Sequence, residues 1–393
     1  MRARTIESLP LPGDGLLPGP ASQVTHALMV GAPPERIWPW LAQMGRGRAG
    51  FYGVDLIDNG GARSARDLHP ELGAVSPGDV LVAGARGGIR AQVLLAEEPN
   101  ALVLGGVSAR RGGRPALTWA FLLERAGRGR TRLIVRTRAA RGRLPSAWTS
   151  PAGRAAQRIQ LRNIARRAEG RLPANDWRDV LAGLAGAGVI GLSLATPFLR
   201  GRRTTWGAGP RLAASPHAGD ELLPGAAWGW THAVEVAAPA AAVWPWLAQI
   251  GADRAGFYSY SWLENLAGCG VRDAERVHPE WEAREGGELR IHPSMPPLRI
   301  AAVERGRHVL ATAPADEAAR AEGRPWIAVT WLFELEPLGA ARCRVVSRYR
   351  CAHSADLRTR LGFGPGLLEP IGFAMDRRML RGLARRAASA ATA

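Results

Sequence analysis

The chain has no lysine, and this absence changes how its charge should be interpreted. All 52 basic residues are arginine, and they give a formal net charge of +18 beside 48 glycines and 29 prolines. Such a bias is typical of a GC-rich genome, which weakens the charge as evidence for a polyanionic partner. The sequence also lacks RNP-type, helix-turn-helix and zinc-finger spacings, so we expect no nucleic-acid partner.

Cysteine is almost as scarce. Cys269, Cys343 and Cys351 are the only three, and none forms a C-x-x-C pair. On one strand Cys343 and Cys351 would stand about 26 Å apart, too far for a disulfide. The eight histidines lack the spacing that places two metal ligands on one helix face. The sequence therefore points to no disulfide framework, no metal and no cofactor.

A long apolar run is missing from the first thirty residues, which contain Asp14 and several prolines and glycines. A cleaved signal peptide needs an apolar core segment, so we expect none here. The whole chain of 393 residues is 46% hydrophobic and 22% charged, as in globular proteins. At about 150 residues per domain, two domains are expected.

The chain contains the same series of motifs twice. Gly13-Asp14-x-Leu-Leu-Pro-Gly returns at Gly219, Trp38-Pro-Trp-Leu-Ala-Gln at Trp244, and Arg48-Ala-Gly-Phe-Tyr at Arg254. Later pairs are His69-Pro-Glu with His278-Pro-Glu, Thr118-Trp with Thr330-Trp, and 158–168 with 377–387. The pairs occur in the same order, which indicates tandem duplication of one domain.

Each copy begins with a strand, continues through short helices and four or five strand-like runs, and ends in a long helix at about 153–169 or 367–388. The strands follow one another with too few residues for crossover connections. The pattern therefore predicts an α+β fold, an antiparallel sheet packed on a long C-terminal helix.

The string Ala-Pro-x-x-x-x-Trp-Pro-Trp-Leu-x-Gln-x-Gly-x-x-Arg-x-Gly-Phe-Tyr, present in both copies, resembles the SRPBCC superfamily, the START-like or polyketide cyclase/dehydrase-like helix-grip domains. The resemblance implies a curved antiparallel sheet that grips the C-terminal helix over an apolar cavity. It divides the chain into copy 1 (1–172), a linker (173–210) and copy 2 (211–393).

The copies differ at one motif. Copy 2 continues the resemblance with 259–265 (Ser-Tyr-Ser-Trp-Leu-Glu-Asn), whereas copy 1 has Gly53-Val-Asp-Leu-Ile-Asp-Asn59 and lacks three residues before His69. Aromatic side chains with polar tips suit a ligand wall. We therefore predict the larger and more selective cavity in copy 2, with Trp262 important for binding and Leu56 much less so.

The candidate ligand-binding residues combine a cation and aromatic side chains at an expected cavity. In copy 2 they are Arg254, Phe257, Tyr258, Tyr260, Trp262, His278, Trp331 and Met375, and in copy 1 they are Arg48, Phe51, Tyr52, His69 and Trp119. An alternative is that these aromatic residues only fill the core between helix and sheet.

His278 with Glu280, and His69 with Glu71, are the only His and acid pairs found in both copies. An imidazole beside a carboxylate could act as a general base, which makes His278 and Glu280 the catalytic candidates. The alternative is a loop whose glutamate only accepts hydrogen bonds at the sheet edge.

The centre of the chain contains twenty uncharged residues, 180–199, with arginines on both flanks. This length can cross about 30 Å of hydrocarbon, and Gly183, Ala187 and Gly191 form a small-x-x-x-small series. We expect one continuous helix outside both domain cores, attached to a membrane. The alternatives are an Ala/Gly-rich linker helix in a soluble, cytoplasmic protein and, for a single span, either orientation.

These observations predict that the chain binds or carries a hydrophobic small molecule of the lipid, polyketide or isoprenoid class, mainly in copy 2. The rival hypothesis is a cyclase, dehydratase or hydrolase acting on an aromatic or polyketide substrate. A third is an interaction module with a filled core. A cavity lined by His278 would favour the enzyme, and a cavity without an ionisable pair would favour binding.

Overall fold

The computed structural model describes residues 6–72, 74–82, 90–107, 115–141 and 148–391. These residues form two compact units, Met1–Leu172 and Pro173–Ala393. The first unit contains copy 1. The second contains copy 2 together with the central segment 173–210, which was predicted as a separate linker.

Copy 1 is one antiparallel sheet with a long helix against it. Its strands are β1 (Ser22–Val30), β2 (Val80–Val82), β3 (Arg90–Glu97), β4 (Ala101–Val107), β5 (Pro115–Arg125) and β6 (Thr131–Ala139). Its helices are α1 (Pro34–Ala42), α2 (Asp55–Asp58) and α3 (Pro151–Ala168). The strand order is β1-β6-β5-β4-β3-β2, and α3 packs on α1 and β1.

The second unit opens with α4 (Trp177–Ala195), α5 (Arg200–Thr204) and α6 (Gly209–Ala214). Copy 2 then has strands β7 (Trp228–Val236), β8 (Glu288–Leu289), β9 (Leu298–Glu304), β10 (His308–Ala313), β11 (Ile327–Pro337) and β12 (Cys343–His353). Its helices are α7 (Ala240–Ala248), α8 (Ser261–Leu266), α9 (Glu317–Ala321), α10 (Leu357–Phe363) and α11 (Leu368–Ala391).

The sheet of copy 2 has the order β7-β12-β11-β10-β9-β8, the same as in copy 1. In both sheets the first strand pairs with the last, and the long helix that follows the last strand packs back on the first. This is the helix-grip arrangement. The predicted α+β fold and its duplication are therefore confirmed.

The repeated Gly-Asp motif has a structural role on the outer side of each sheet. Asp14 forms an ion pair with the buried Arg136 at 2.7 Å, and Asp220 forms one with Arg348 at 2.8 Å. Gly13, like its counterpart Gly219, adopts a positive φ at the turn before the aspartate, a conformation that favours glycine. A buried guanidinium needs such partners, so the motif serves the fold.

The central helix α4 begins at a capping box formed by Asp176 and Asp179 and ends at Ala195. Pro197 follows, and 197–199 form a separate 3-10 turn, so the predicted continuous helix over 180–199 is wrong at its C-terminal end. Proline cannot donate the backbone hydrogen bond that the next helical turn requires.

Helix α4 packs against α8 and α11 of its own unit. A Cβ atom at Gly183 would lie 2.3 Å from the Trp262 ring, and one at Gly186 would lie 2.9 Å from the Tyr260 ring. The small residues that suggested contact between helices in lipid thus make room for aromatic side chains of copy 2. The helix has the length and hydropathy of a membrane span, yet most of it is exposed.

Candidate functional site

A cavity of about 310 Å³ lies in copy 1 between the inner face of the sheet, α2 and α3. Its volume is at the lower end of the range for small-molecule sites. It is lined by Phe51, Ile57, Asp58, Trp119, Trp148, Ala152, Gly153, Ala156, Gln157 and Gln160. Ile57 is two-thirds exposed, which places it at the rim.

Small side chains leave this space open. Helix α3 presents Ala152, Gly153 and Ala156, one helical turn apart, toward the cavity. On the sheet, Val24 of β1 pairs with Thr137 of β6 on the same inner face. Neither is long enough to reach across to α3 as an aromatic side chain would.

The cavity wall contains buried polar atoms that have no hydrogen-bond partner among the described residues. They are Nε1 of Trp119, Oε1 of Gln157 and Oε1 of Gln160, together with Oγ1 of Thr137, the cross-strand neighbour of Trp119. All four side chains are at least nine-tenths buried. Leaving a buried polar group unpaired costs about 1–3 kcal/mol, so this wall is poorly satisfied without a ligand.

The orientation of both glutamines is fixed by the backbone. The Gln157 amide donates to the carbonyl of Trp148 at 3.1 Å, and the Gln160 amide donates to the carbonyl of Phe51 at 2.8 Å. Because a carbonyl only accepts, each NH₂ group must face it, which leaves each Oε1 as a free acceptor. Two acceptors and the indole N–H donor thus belong to residues that line an otherwise apolar cavity, with the atoms themselves buried in its wall.

Asp58 adds a carboxyl group to the cavity. Its Oδ2 accepts a hydrogen bond from the backbone N–H of Val54 at 2.7 Å. Burial raises the pKa of Asp58 above its ordinary value, and the neighbouring carboxylate of Asp55 acts in the same direction. The carboxyl therefore holds a proton more readily than an exposed aspartate does.

The same space in copy 2 is occupied by side chains. Trp230 and Tyr349 stand at the positions of Val24 and Thr137, and their rings stack with centroids 4.4 Å apart. Trp230 reaches α11, where a Cβ atom at Gly372 would lie 2.5 Å from its ring. Aromatic side chains thus occupy this space in copy 2. A pocket of about 320 Å³ in that unit lies instead beside Thr231, Arg348 and Arg350, so the relative size and selectivity of the two sites stay a prediction.

The copy 2 counterparts of Trp119 and Gln157 have hydrogen-bond partners, although Nε1 of Trp230 is unpartnered among the described residues. Nε1 of Trp331, the counterpart of Trp119, donates to Oγ of Ser347 at 3.0 Å, and Ser347 donates to Asp376 at 2.9 Å. Asp376 also binds Nδ1 of His232 at 2.5 Å, and Nε2 of that ring donates to the carbonyl of Arg203. In copy 2 this buried network supplies, from the chain itself, the hydrogen-bond partners that the corresponding groups of copy 1 lack.

The two predicted cations support loops instead of facing a cavity. Arg48 donates to the carbonyls of Ala42 and Leu72, and Arg254 donates to those of Trp281 and Glu288. Burial lowers the pKa of Arg254, although its guanidinium keeps these carbonyl partners. Both arginines tie the loop after the first helix to the sheet edge.

The repeated tyrosines are core residues. The hydroxyl of Tyr52 accepts from Gln43, and the hydroxyl of Tyr258 accepts from Gln249 and donates to the carbonyl of Trp246. Both tyrosines have a positive φ near 57°, held by this packing. Burial raises the pKa of Tyr258 well above its usual range.

The aromatic run of copy 2 lies beneath α4. Tyr260 and Trp262 contact the glycine face of that helix, and the backbone carbonyl of Met375 accepts from Ser259. Phe257 belongs to the filled core of copy 2. Of the predicted ligand-binding residues, Phe51 and Trp119 of copy 1 line the cavity.

The two His and acid pairs form, but away from the cavity. His69 and Glu71 are 2.8 Å apart, and His278 and Glu280 are 3.1 Å apart, with both glutamates more than half exposed. The His278 ring also stacks on Trp281 at 4.0 Å. This geometry suits a surface turn at the sheet edge.

The sequence analysis missed Asp58, Trp148, Gln157 and Gln160. One signal was available for the glutamines, because Gln157 and Gln160 stand three residues apart on a helix face that is otherwise buried. At the same positions copy 2 has Asp376 and Met379, so the duplication itself marks these sites as different.

Comparisons with known proteins give structural neighbours only. No family model and no curated protein matches the chain. The di-domain ARO/CYC BexL from the BE-7585A biosynthetic pathway aligns with 95% of this chain and 99% of its own at 12% identity and a TM-score of 0.28. The di-domain ARO/CYC StfQ from the steffimycin biosynthetic pathway aligns with 94% and 98% at 11% identity and a TM-score of 0.26.

A third neighbour, protein MLL2253 from Mesorhizobium loti, aligns along its whole length with 39% of this chain, at 14% identity and a TM-score of 0.27. These TM-scores are below 0.5, so the neighbours carry no inference about function. The fold assignment rests on the strand order and helix packing of the two copies.

Proposed function

We propose that copy 1 binds a compact, largely apolar small molecule that carries hydroxyl and carbonyl groups, of the aromatic or polyketide class. The observation that carries the proposal is the set of unpartnered buried polar atoms around an apolar cavity. An apolar wall alone would suit any hydrophobic ligand, including a lipid or isoprenoid tail. A hydrocarbon tail, however, would leave every one of these atoms unpaired.

The polar atoms also indicate which groups the ligand carries. Oε1 of Gln157 and Oε1 of Gln160 are acceptors and call for hydroxyl donors, whereas the Trp119 indole calls for a carbonyl or ether oxygen. The centroid of the Trp119 ring lies 6.0 Å from that of Phe51 and 5.1 Å from that of Trp148. Such a cluster of aromatic rings suits a ligand with a flat ring system. Hydroxylated aromatic molecules combine these features.

A matched pair of probes tests this proposal. Naphthalene and 2,6-dihydroxynaphthalene have the same ring system but differ in two hydroxyl groups, and each is titrated into the full chain by calorimetry. Two hydrogen bonds of about 0.5–1.5 kcal/mol each predict roughly 5- to 150-fold tighter binding of the dihydroxy probe. Equal affinities, or tighter binding of a fatty acid than of either probe, would contradict the proposal.

A second candidate function, an acid-assisted dehydration within the cyclase/dehydratase class, is favoured by the position of Asp58. Its carboxyl lines the cavity, and burial raises its pKa. In the protonated form Asp58 gives its proton to a departing ligand hydroxyl, which leaves as water. The resulting carboxylate takes the proton from the adjacent carbon as the double bond forms. His278 and Glu280 have no part in this step.

The test uses a β-hydroxyketone whose dehydration gives an absorbing enone. We expect turnover to fall as pH rises through the pKa of Asp58, and Asp58→Asn to abolish turnover while ligand affinity changes less than about threefold. A variant with full turnover would exclude Asp58 as the acid. Binding without any turnover by the unaltered chain would leave binding as the function of copy 1.

A further inference from the structure

We infer that the outer face of α4 docks on the surface of an anionic membrane, with the helix lying in the plane of the interface. The observation is a helix whose solvent face is apolar. Residues 180–199 contain no charge, and the outward side chains form a ridge one or two turns apart. The ridge consists of Trp177, Leu181, Leu184 and Leu192, each more than half exposed.

This arrangement is the reverse of an ordinary surface helix, which turns its apolar face toward the core. Here the core-facing residues are small or polar: Gly183 packs on the ring of Trp262, Gly186 packs on that of Tyr260, and Ser193 is also buried. The large side chains remain outside, and Phe198, four-fifths exposed, extends the apolar surface beyond the helix. A partner must cover this ridge to remove it from water.

The contacts of the inner face decide between lying on a membrane and crossing it. A crossing helix would have to leave α8 and α11 and expose the rings of Tyr260 and Trp262, which fit against the two glycines. A helix in the interface plane keeps these contacts and buries only the ridge. The in-plane arrangement is the one compatible with the structure of this unit.

Charge decides between lipid and a second copy of this chain. The segment after α4, 196–214, contains four arginines and no acidic residue. Arg200 and Arg203 both pair with Glu369, whereas Arg202 and Arg211 are exposed. At the other end of α4 both aspartates are engaged in the capping box. Two copies packed with their α4 helices parallel would bring the exposed arginines together, whereas anionic headgroups supply a countercharge to Arg202 and Arg211.

The test is sedimentation of the full chain with vesicles of phosphatidylcholine alone or with 30% phosphatidylglycerol. We expect binding to the anionic vesicles, release in 0.5 M NaCl, and at least about a tenfold loss of binding in Leu181→Glu/Leu184→Glu. The matched control is Leu357→Glu/Leu361→Glu, two similarly exposed leucines on α10, which should bind as the unaltered chain does. Circular dichroism checks that both variants fold.

Several outcomes would overturn the inference. The absence of vesicle binding would do so, as would equal loss in both double variants. Retention in membranes after an alkaline carbonate wash would indicate a crossing helix. A dimer in light scattering that Leu181→Glu/Leu184→Glu disrupts, without vesicle binding, would assign the ridge to a second copy. None of these results depends on the ligand of copy 1.

Discussion

Replacing one tryptophan in each copy by phenylalanine compares the loss of an unpaired indole N–H with the loss of a hydrogen-bonded one. Trp119 and Trp331 occupy equivalent positions in their sheets and are both at least nine-tenths buried. Nε1 of Trp119 has no partner among the described residues, whereas Nε1 of Trp331 donates to Ser347 at 3.0 Å. Trp119→Phe and Trp331→Phe remove the same atoms at equivalent positions of the two sheets.

The free energies of unfolding should therefore change differently. Loss of ring volume destabilises both variants by a similar amount, which cancels when they are compared. Trp119→Phe also removes an unpaired buried donor and recovers about 1–3 kcal/mol, whereas Trp331→Phe loses a hydrogen bond that contributes about 0.5–1.5 kcal/mol. The expected difference is about 1.5–4.5 kcal/mol, with Trp331→Phe the less stable variant.

Urea denaturation followed by circular dichroism measures this difference, and a ligand titration supplies the second readout. Trp119→Phe should weaken binding of a carbonyl-bearing aromatic probe by about 2- to 12-fold, because one hydrogen bond is lost. Trp331→Phe should leave that affinity unchanged. If both variants lose equal stability, the Trp119 indole has a partner in the free protein, and the reasoning about the cavity wall fails.

Three further predictions concern packing and protonation. Val24→Trp with Thr137→Tyr gives copy 1 the residues that fill copy 2, so the dihydroxynaphthalene probe should no longer bind by calorimetry; unchanged affinity would place the ligand elsewhere. Gly183→Ala should lower the free energy of unfolding, measured in urea, by about 1–2 kcal/mol, because its Cβ atom would lie 2.3 Å from a ring. Gly188→Ala, where a Cβ atom meets open space, should raise it by about 0.5–1 kcal/mol. A change of the same sign in both variants would refute the packing. Burial raises the pKa of Glu264 to about 8, so the contribution of this carboxyl to stability is complete below about pH 4 and is lost as pH rises through 8. Glu264→Gln should flatten that part of the plot of stability against pH. An unchanged slope would count against a buried carboxyl.

The fold could be predicted because the duplication repeats both the motifs and their order. Two sets of strand-like runs, each followed by a long helix, permit few arrangements once crossover connections are excluded. The repeated Gly-Asp motif helped to identify the duplication, although its pairing with a buried arginine was not evident from the sequence. Its partners Arg136 and Arg348 lie more than 120 residues further along the chain, and sequence spacing alone does not show such a pairing.

The location of the cavity could not be predicted, because it depends on the volume left between distant side chains. Trp230 and Tyr349 are residue types that favour strands, and the sequence shows nothing more of them. The register of β7 with β12 brings their rings together, and Trp230 reaches Gly372. The aromatic run at Tyr260 and Trp262 was assigned to a ligand wall because aromatic side chains with polar tips suit one. The helix that covers this run, α4, was expected to lie apart. The many aromatic residues of copy 2 belong to a filled interior and not to a ligand wall.

The stacked pair Trp230 and Tyr349 also sets the stoichiometry of the chain. Side chains that occupy an interior are tethered there and cannot be exchanged for a solute, so the space between sheet and long helix in copy 2 offers no competing site. A duplicated chain would ordinarily saturate at two equivalents of ligand with overlapping affinities. This one should bind a single equivalent in the cavity between sheet and long helix, with one dissociation constant for that cavity.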